Sequence, residues 1–88
     1  MENEVELRQG AFADLDSVGF AVMYVDDRGT VPLIGLGTVN FATDEETTLQ
    51  VEPGRPFSVA GQVWQVANVH RGERDRWVAI LQRIDAPR

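Results

Sequence analysis

Apolar and polar residues alternate along most of this chain with the two-residue period of half-buried β-strands. The alternation is clearest in Glu4–Arg8, and strands are also predicted at Val18–Asp26 and Val63–His70. Turn-forming residues recur about every 8 to 12 positions, and no stretch shows a sustained helical period. The pattern predicts an all-β protein, a small single-domain antiparallel barrel or sandwich of six to seven short strands over residues 1–88, with a frayed tail at 86–88.

The strand Val18–Asp26 is apolar on both faces. Period-two alternation places these residues on one face: Val18, Phe20, Val22 and Tyr24. The other face carries Gly19, Ala21, Met23 and Val25. We therefore expect a central strand that is covered on both sides. A curved sheet that closes on itself explains this best, and a sheet that keeps one apolar face for a second subunit is the alternative.

The next strand, predicted over Thr30–Phe41, carries two glycines on one face. Gly35 and Gly37 are two residues apart, so both point to the same side. Glycines in such positions let a bulky side chain lie across the strand or let the strand bend sharply. A glycine-rich nucleotide loop is not favoured, because no helix and no P-loop lysine follow.

The rest of the chain is predicted to form further strands, a turn and a β-bulge. Strands are predicted at Glu46–Val51 and Arg76–Ile84, and residues 11–17 form a short strand or an irregular arm. Glu52–Arg55 has Pro and Gly at its second and third positions, which is typical of a type II turn. The alternation slips near Ala67, which indicates a β-bulge.

The amino-acid composition limits the partners and the cellular location that we expect for this protein. The chain has 88 residues, 43% of them hydrophobic, and a formal net charge of −6, with 14 acidic and 8 basic residues. A negative domain repels phosphate backbones and anionic lipids, so we expect no nucleic-acid and no membrane partner. The absence of cysteine, of a signal peptide and of an apolar run of ~18 residues favours a cytoplasmic protein.

Little in the sequence indicates catalysis. His70 is the only histidine, and the two serines are not spaced for a catalytic triad with it. The acidic clusters at 26–27 and 44–46 lack calcium-loop spacing and suit solvated turns. We therefore expect no catalytic residue, no metal and no cofactor.

Aromatic and basic residues supply the candidates for contact with a partner. Trp64 and Trp77 are expected to divide between the core and a partly exposed position. Arg71, Arg74 and Arg76 form a basic patch, in which pairing with Glu73 and Asp75 is the favoured interpretation. The candidate ligand or partner contacts are Tyr24, Phe41, Trp64, His70, Arg74 and Trp77. In an open barrel, the aromatic members of this set would line a ligand cavity.

The segment from Val51 to Val66 carries the pattern V-x-P-G-x-x-F-x-V-x-G-x-x-W-x-V, and the chain begins with an ELR-x-G motif at Glu6–Gly10. Both features resemble a group of short actinobacterial proteins of unknown function. The resemblance implies a β-rich bacterial domain, and it implies no activity and no site.

Three functions follow as hypotheses. The first is a non-enzymatic binding or assembly module of a bacterial cytoplasmic system, which acts as a homo-oligomer or binds another protein. The second is a small β-barrel that binds a small apolar ligand or acts as a cyclase-like enzyme in secondary metabolism. The third is an acidic inhibitor or immunity-type protein that covers a basic active site.

Overall fold

The structure, a computed structural model, describes residues 4–15 and 17–85. The predicted frayed tail at 86–88 lies outside the described residues. The described residues form eight strands, in the order β1 (Glu4–Arg8), β2 (Phe12–Leu15), β3 (Val18–Asp26), β4 (Leu33–Asn40), β5 (Glu45–Val51), β6 (Phe57–Val59), β7 (Gln62–Arg71) and β8 (Trp77–Arg83). A short 3₁₀ turn, Glu73–Asp75, connects β7 to β8.

The strands form two antiparallel sheets of four strands each. The first sheet has the order β1-β8-β7-β6, and the second has the order β2-β3-β4-β5. The all-β prediction is confirmed, and of its two architectures the structure adopts the sandwich. The part of the chain that the structure describes has eight strands rather than six or seven, because both Phe12–Leu15 and the three-residue Phe57–Val59 make ladder pairs.

Side chains from both sheets fill the space between them. The buried core residues are Leu7, Val18, Phe20, Val22, Ile34, Leu36, Val51, Trp64, Val66, Ala79 and Leu81. At the centre, the Trp64 ring packs edge-on against Phe20 with ring centroids 5.0 Å apart. The indole Nε1 donates a hydrogen bond to Oε1 of Gln62 at 2.9 Å, which satisfies the polar atom of a fully buried side chain. The core therefore occupies the interior that an open barrel would leave for a ligand.

A β-bulge in β3 changes which side chains face the core. Val22 pairs with Leu36 and Tyr24 pairs with Gly35, so Met23 is the extra residue between them. One extra residue reverses the alternation that follows. The prediction that Tyr24 shares the face of Val18, Phe20 and Val22 is therefore wrong: Tyr24 faces outward, and Val25 packs against the core.

Several local predictions are confirmed. The register of β7 shifts between Val66 and Asn68, where the bulge was expected. In the β5–β6 turn, the N–H of Arg55 donates to the carbonyl of Glu52 at 3.2 Å and Gly54 adopts a φ of +84°, as a type II turn requires. The N–H of Gly54 also donates to the carbonyl of Val66 at 2.9 Å, which ties this turn to the first sheet.

Candidate functional site: an apolar sheet face and an arginine pocket

The outer face of the second sheet is apolar and exposed. We call this surface the apolar sheet face and define it by Phe12, Ala21, Met23, Val39 and Phe41. On β3 and β4, each of Ala21, Met23 and Val39 has a buried neighbour, so alternation turns these three side chains outward. The prediction that β3 is covered on both faces is therefore wrong. β3 is central within its sheet, but only its inner face is packed.

An aromatic pair forms a ridge at one end of this face. Phe12 and Phe41 meet edge-to-face, with ring centroids 6.3 Å apart and an interplanar angle of 72°. Both rings lie over Gly19, because a Cβ at that position would come 3.1 Å from Cζ of Phe41 and would overlap the Phe12 ring. Phe12 remains 56% exposed and Phe41 44% exposed. Strand pairing cannot bury this ridge, because it rises from the open side of the sheet.

A shallow depression of about 290 Å³ lies beside the ridge, with Ala21 and Gly37 in its lining. Met23 flanks it and is 56% exposed, because alternation from the buried Val22 turns this side chain outward. Among the described residues that line the depression, Glu46 is the only charged one. The face therefore combines an aromatic projection with a nearly uncharged hollow.

Tyr24 extends the same face towards the β3–β4 loop. Its ring lies across Gly35, where a Cβ would overlap ring atoms Cε2 and Cζ. Its hydroxyl accepts a hydrogen bond from Nε2 of Gln50 at 3.3 Å. Of the two explanations predicted for Gly35 and Gly37, a sharp bend or a bulky side chain lying across the strand, the structure therefore shows the second at Gly35.

The acidic turn after β3 is held by its own arginine. Arg28 donates to both carboxylate oxygens of Asp26, from Nε at 2.9 Å and from Nη2 at 2.8 Å. The side-chain hydrogen bond from Arg28, with a second from its backbone N–H, lowers the pKa of Asp26 from 3.8 to about 2. Among the described residues, no three His, Asp or Glu side chains group as metal ligands.

A second concave surface lies on the outer face of the first sheet. Arg8, Val78 and His70 stand in one row across β1, β8 and β7, because Val78 pairs with both of the others. Their neighbours Leu7 and Ala79 are buried in the core, so this row points outward. We call the space above the row the arginine pocket. It measures about 430 Å³, and its charged or titratable lining residues are Glu6, Arg8, His70, Glu73, Arg74 and Arg76.

Two turns form opposite sides of the arginine pocket. On one side, the N–H of Ala11 donates to the carbonyl of Arg8 at 2.9 Å. Nη1 of Arg76 lies 3.9 Å from the position of a Cβ on Gly10, within this turn.

On the other side, Gly72 packs so closely on the floor that a Cβ there would be 2.8 Å from Cγ2 of Val78. The N–H of Gly72 donates to the carbonyl of Arg76 at 2.7 Å, which closes the β7–β8 loop. Val78 is only 7% exposed as a result.

The pocket holds arginines that have no ion-pair partner among the described residues. Arg71 pairs with Asp27 at 3.7 Å and with Asp75 at 3.9 Å. Within residues 4–15 and 17–85, Arg8, Arg74 and Arg76 form no salt bridge. The predicted local ion pairing is therefore right for Arg71 and wrong for the other two arginines of the patch, because the loop brings Asp75 to Arg71 instead.

The structure separates most of the six candidate contact residues. His70 and Arg74 line the arginine pocket, whereas Tyr24 and Phe41 lie on the outer side of the second sheet. Trp64 is fully buried in the core. Trp77 is half-buried beneath Arg71, whose guanidinium carbon lies 4.8 Å from the ring centroid. The expected division of the two tryptophans is confirmed, but the aromatic residues do not meet in one cavity.

Sequence reasoning missed Arg8, Phe12 and Met23 as surface residues of interest. Arg8 joins Arg74 and Arg76 only because β1 pairs with β8. Met23 is exposed because the outer face of β3, which was expected to be covered, is open, and Phe12 joins that face only because β2 pairs with β3. The tertiary pairing of strands, rather than any local motif, brings these residues to their sites.

In the part of the chain that the structure describes, no helix has the length and apolar character needed to cross a membrane. No curated protein and no solved structure matches this sequence. The resemblance to a family of unknown function is confirmed. A family model matches residues 2–85, nearly the whole chain, and the protein therefore belongs to the DUF6406 family, a family of unknown function.

Proposed function

We propose that this protein is a non-enzymatic assembly module, in which the apolar sheet face binds the same face of a second copy. The observation that carries the proposal is the exposure of Phe12, Met23 and Phe41 on one continuous sheet surface. Aromatic residues and methionine are enriched at protein interfaces, and the largest apolar patch on a monomer is often a binding surface.

The shape of the face supports a second copy as the occupant. The Phe12–Phe41 ridge stands beside the depression over Ala21 and Gly37. A two-fold axis through such a surface places the ridge of each copy in the depression of the other, as a self-complementary interface requires. The small side chains of the depression leave room for an aromatic ring.

The size of the face sets the expected affinity. The three strands β2 to β4, about 4.8 Å apart and on average about seven residues long, give a footprint of roughly 330 Å² per copy. Standard interfaces bury about 800 Å² per partner, so this contact belongs to the weak class. We therefore expect a dissociation constant in the micromolar range or above.

The negative net charge of each copy makes self-association depend on the salt concentration. Each copy carries a formal net charge of −6, and Glu46 lies at the depression. Two copies repel one another, and salt screens this repulsion over about 8 to 10 Å. Salt should therefore strengthen self-association, whereas it would weaken binding to a basic partner protein.

Sedimentation velocity tests the proposal over a concentration range from about 1 µM to about 1 mM. The wild-type protein should shift from monomer to dimer, and Met23→Glu should remain monomeric with an unchanged circular-dichroism spectrum. Val31→Glu is the matched control, because Val31 is also an exposed apolar residue, 46% accessible, but lies in the β3–β4 loop. A wild-type protein that stays monomeric throughout, or equal loss of the dimer in both variants, would refute the proposal.

A further inference from the structure

We infer that the arginine pocket binds a small phosphate monoester that also carries an amine or a hydroxyl group. The site lies on the first sheet, away from the apolar sheet face, so the inference does not depend on self-assembly.

The arginines provide the first argument. Arg8, Arg74 and Arg76 line one pocket and, within the described residues, have no carboxylate partner within salt-bridge distance. Each guanidinium offers five N–H donors in a planar fork. A carboxylate is satisfied by one such fork, whereas a phosphate presents three terminal oxygens and a charge near −2. Three arginines without a carboxylate partner in the described part of the chain therefore match a phosphate better than a carboxylate.

The framework of the pocket provides the second argument. Arg8 and His70 stand on strands either side of β8, about 10 Å apart across two strand spacings, with Val78 between them. The loop carrying Arg74 and Arg76 closes one end of this row. The walls therefore rise from paired strands and a hydrogen-bonded loop, which limits the reorganisation needed for binding.

The backbone at Arg74 is itself unusual. Arg74 and Asp75 both adopt left-handed conformations, with φ of 58° and 59°. For residues other than glycine this conformation costs on the order of 1 kcal/mol or more, and such strain is concentrated at functional positions. Here the consecutive left-handed residues place Arg74 at the pocket while Asp75 reaches Arg71.

The glutamates indicate the rest of the ligand. Glu6 and Glu73 also line the pocket, and a bare phosphate would be repelled by both. A carboxylate accepts hydrogen bonds from an ammonium or a hydroxyl group. Glu6 lies two residues before Arg8 on the same outward face of β1, so one ligand can contact both residues. The volume of about 430 Å³ lies within the usual range for small-molecule sites.

Titration of the full chain with ethanolamine phosphate, followed by ¹H–¹⁵N correlation spectra at constant ionic strength, tests the inference. Saturable shifts are expected at Arg8, at His70 and in the Gly72–Arg76 loop. Arg76→Gln should weaken binding about tenfold, as for loss of a charged hydrogen bond. Arg55→Gln is the matched control, since Arg55 is an exposed arginine of the β5–β6 turn, and it should bind like the wild type.

A second variant separates the two halves of the ligand. Glu6→Gln should weaken binding of ethanolamine phosphate and strengthen binding of inorganic phosphate, because the same carboxylate attracts the amine and repels the bare anion. Glycerol phosphate, which carries hydroxyls in place of the amine, shows whether a neutral donor suffices. The inference is overturned by an absence of saturable shifts up to about 10 mM, by equal losses in Arg76→Gln and Arg55→Gln, or by an effect of Glu6→Gln that has the same sign for both probes.

Discussion

Because the Tyr24 ring lies across Gly35, replacing this glycine should change the stability of the protein in an unusual direction. Replacing glycine by alanine inside a strand normally stabilises a protein by about 0.5 to 1 kcal/mol, because the unfolded chain loses freedom. At Gly35 the added Cβ would overlap the Tyr24 ring. Gly35→Ala should therefore destabilise the protein, which reverses the usual sign.

The size of the effect follows from how much of the ring is covered. Tyr24 is 43% exposed, so a little over half of its surface is in contact with the sheet. A tyrosine buries about 150 to 250 Å² when fully covered, so about 100 Å² is at stake here. At about 25 cal/mol per Å², displacing the ring costs up to about 2.5 kcal/mol. Subtracting the normal benefit of alanine leaves a net loss of about 1.5 to 2 kcal/mol.

Urea unfolding of four proteins measures this effect: the wild type, Tyr24→Ala, Gly35→Ala and the double variant. In the Tyr24→Ala background, Gly35→Ala should be neutral or stabilising, so the cycle should give a coupling of about 2 kcal/mol. Gly37→Ala is the control, because its nearest neighbour is the flexible Met23 side chain, with Sδ at 3.2 Å. The reasoning fails if Gly35→Ala is at least as stable as the wild type, or if its penalty is the same without the tyrosine ring.

Three other predictions concern a turn, an ion pair and the core. Ala60 has a φ of +53° in the two-residue turn with Gly61. Ala60→Asn should therefore raise the free energy of unfolding by about 0.5 to 1 kcal/mol. An unchanged or lower free energy of unfolding in urea denaturation would contradict this prediction. In an NMR titration the Asp26 carboxyl should titrate near pH 2, and Arg28→Gln should move its pKa back towards 3.8. Because folding lowers this pKa, the ionised Asp26 carboxylate stabilises the protein above pH 3.8, and this stabilisation is lost as the pH falls towards 2. Asp26→Asn should therefore flatten the dependence of the free energy of unfolding on pH between pH 2 and 3.8. Leu81→Ala, at a fully buried position, should cost about 2 to 5 kcal/mol in the same denaturation assay, and a loss below about 1 kcal/mol would show that the core closes around the gap.

Features governed by neighbouring residues were predictable from the amino-acid order. Alternation identified the all-β class and placed Gly35 and Gly37 on one face of β4, where the Tyr24 ring lies across Gly35. The Pro-Gly dipeptide identified the turn at Glu52–Arg55, and the slip in alternation identified the bulge beside Ala67. Each of these depends on backbone preferences and side-chain spacing within a few positions, and those are visible in a short window of sequence.

Both candidate sites depend instead on which strands lie side by side. Arg8 lies beside His70 and Arg76 because β1 pairs with β8 in one particular register. Phe12 meets Phe41 because β2 pairs with β3 and β3 pairs with β4. Register is selected by burial of the whole apolar set of both sheets at once, so residues far apart in the chain determine it together. No local pattern contains that information, and the folded sandwich was therefore needed to locate the arginine pocket and the apolar sheet face.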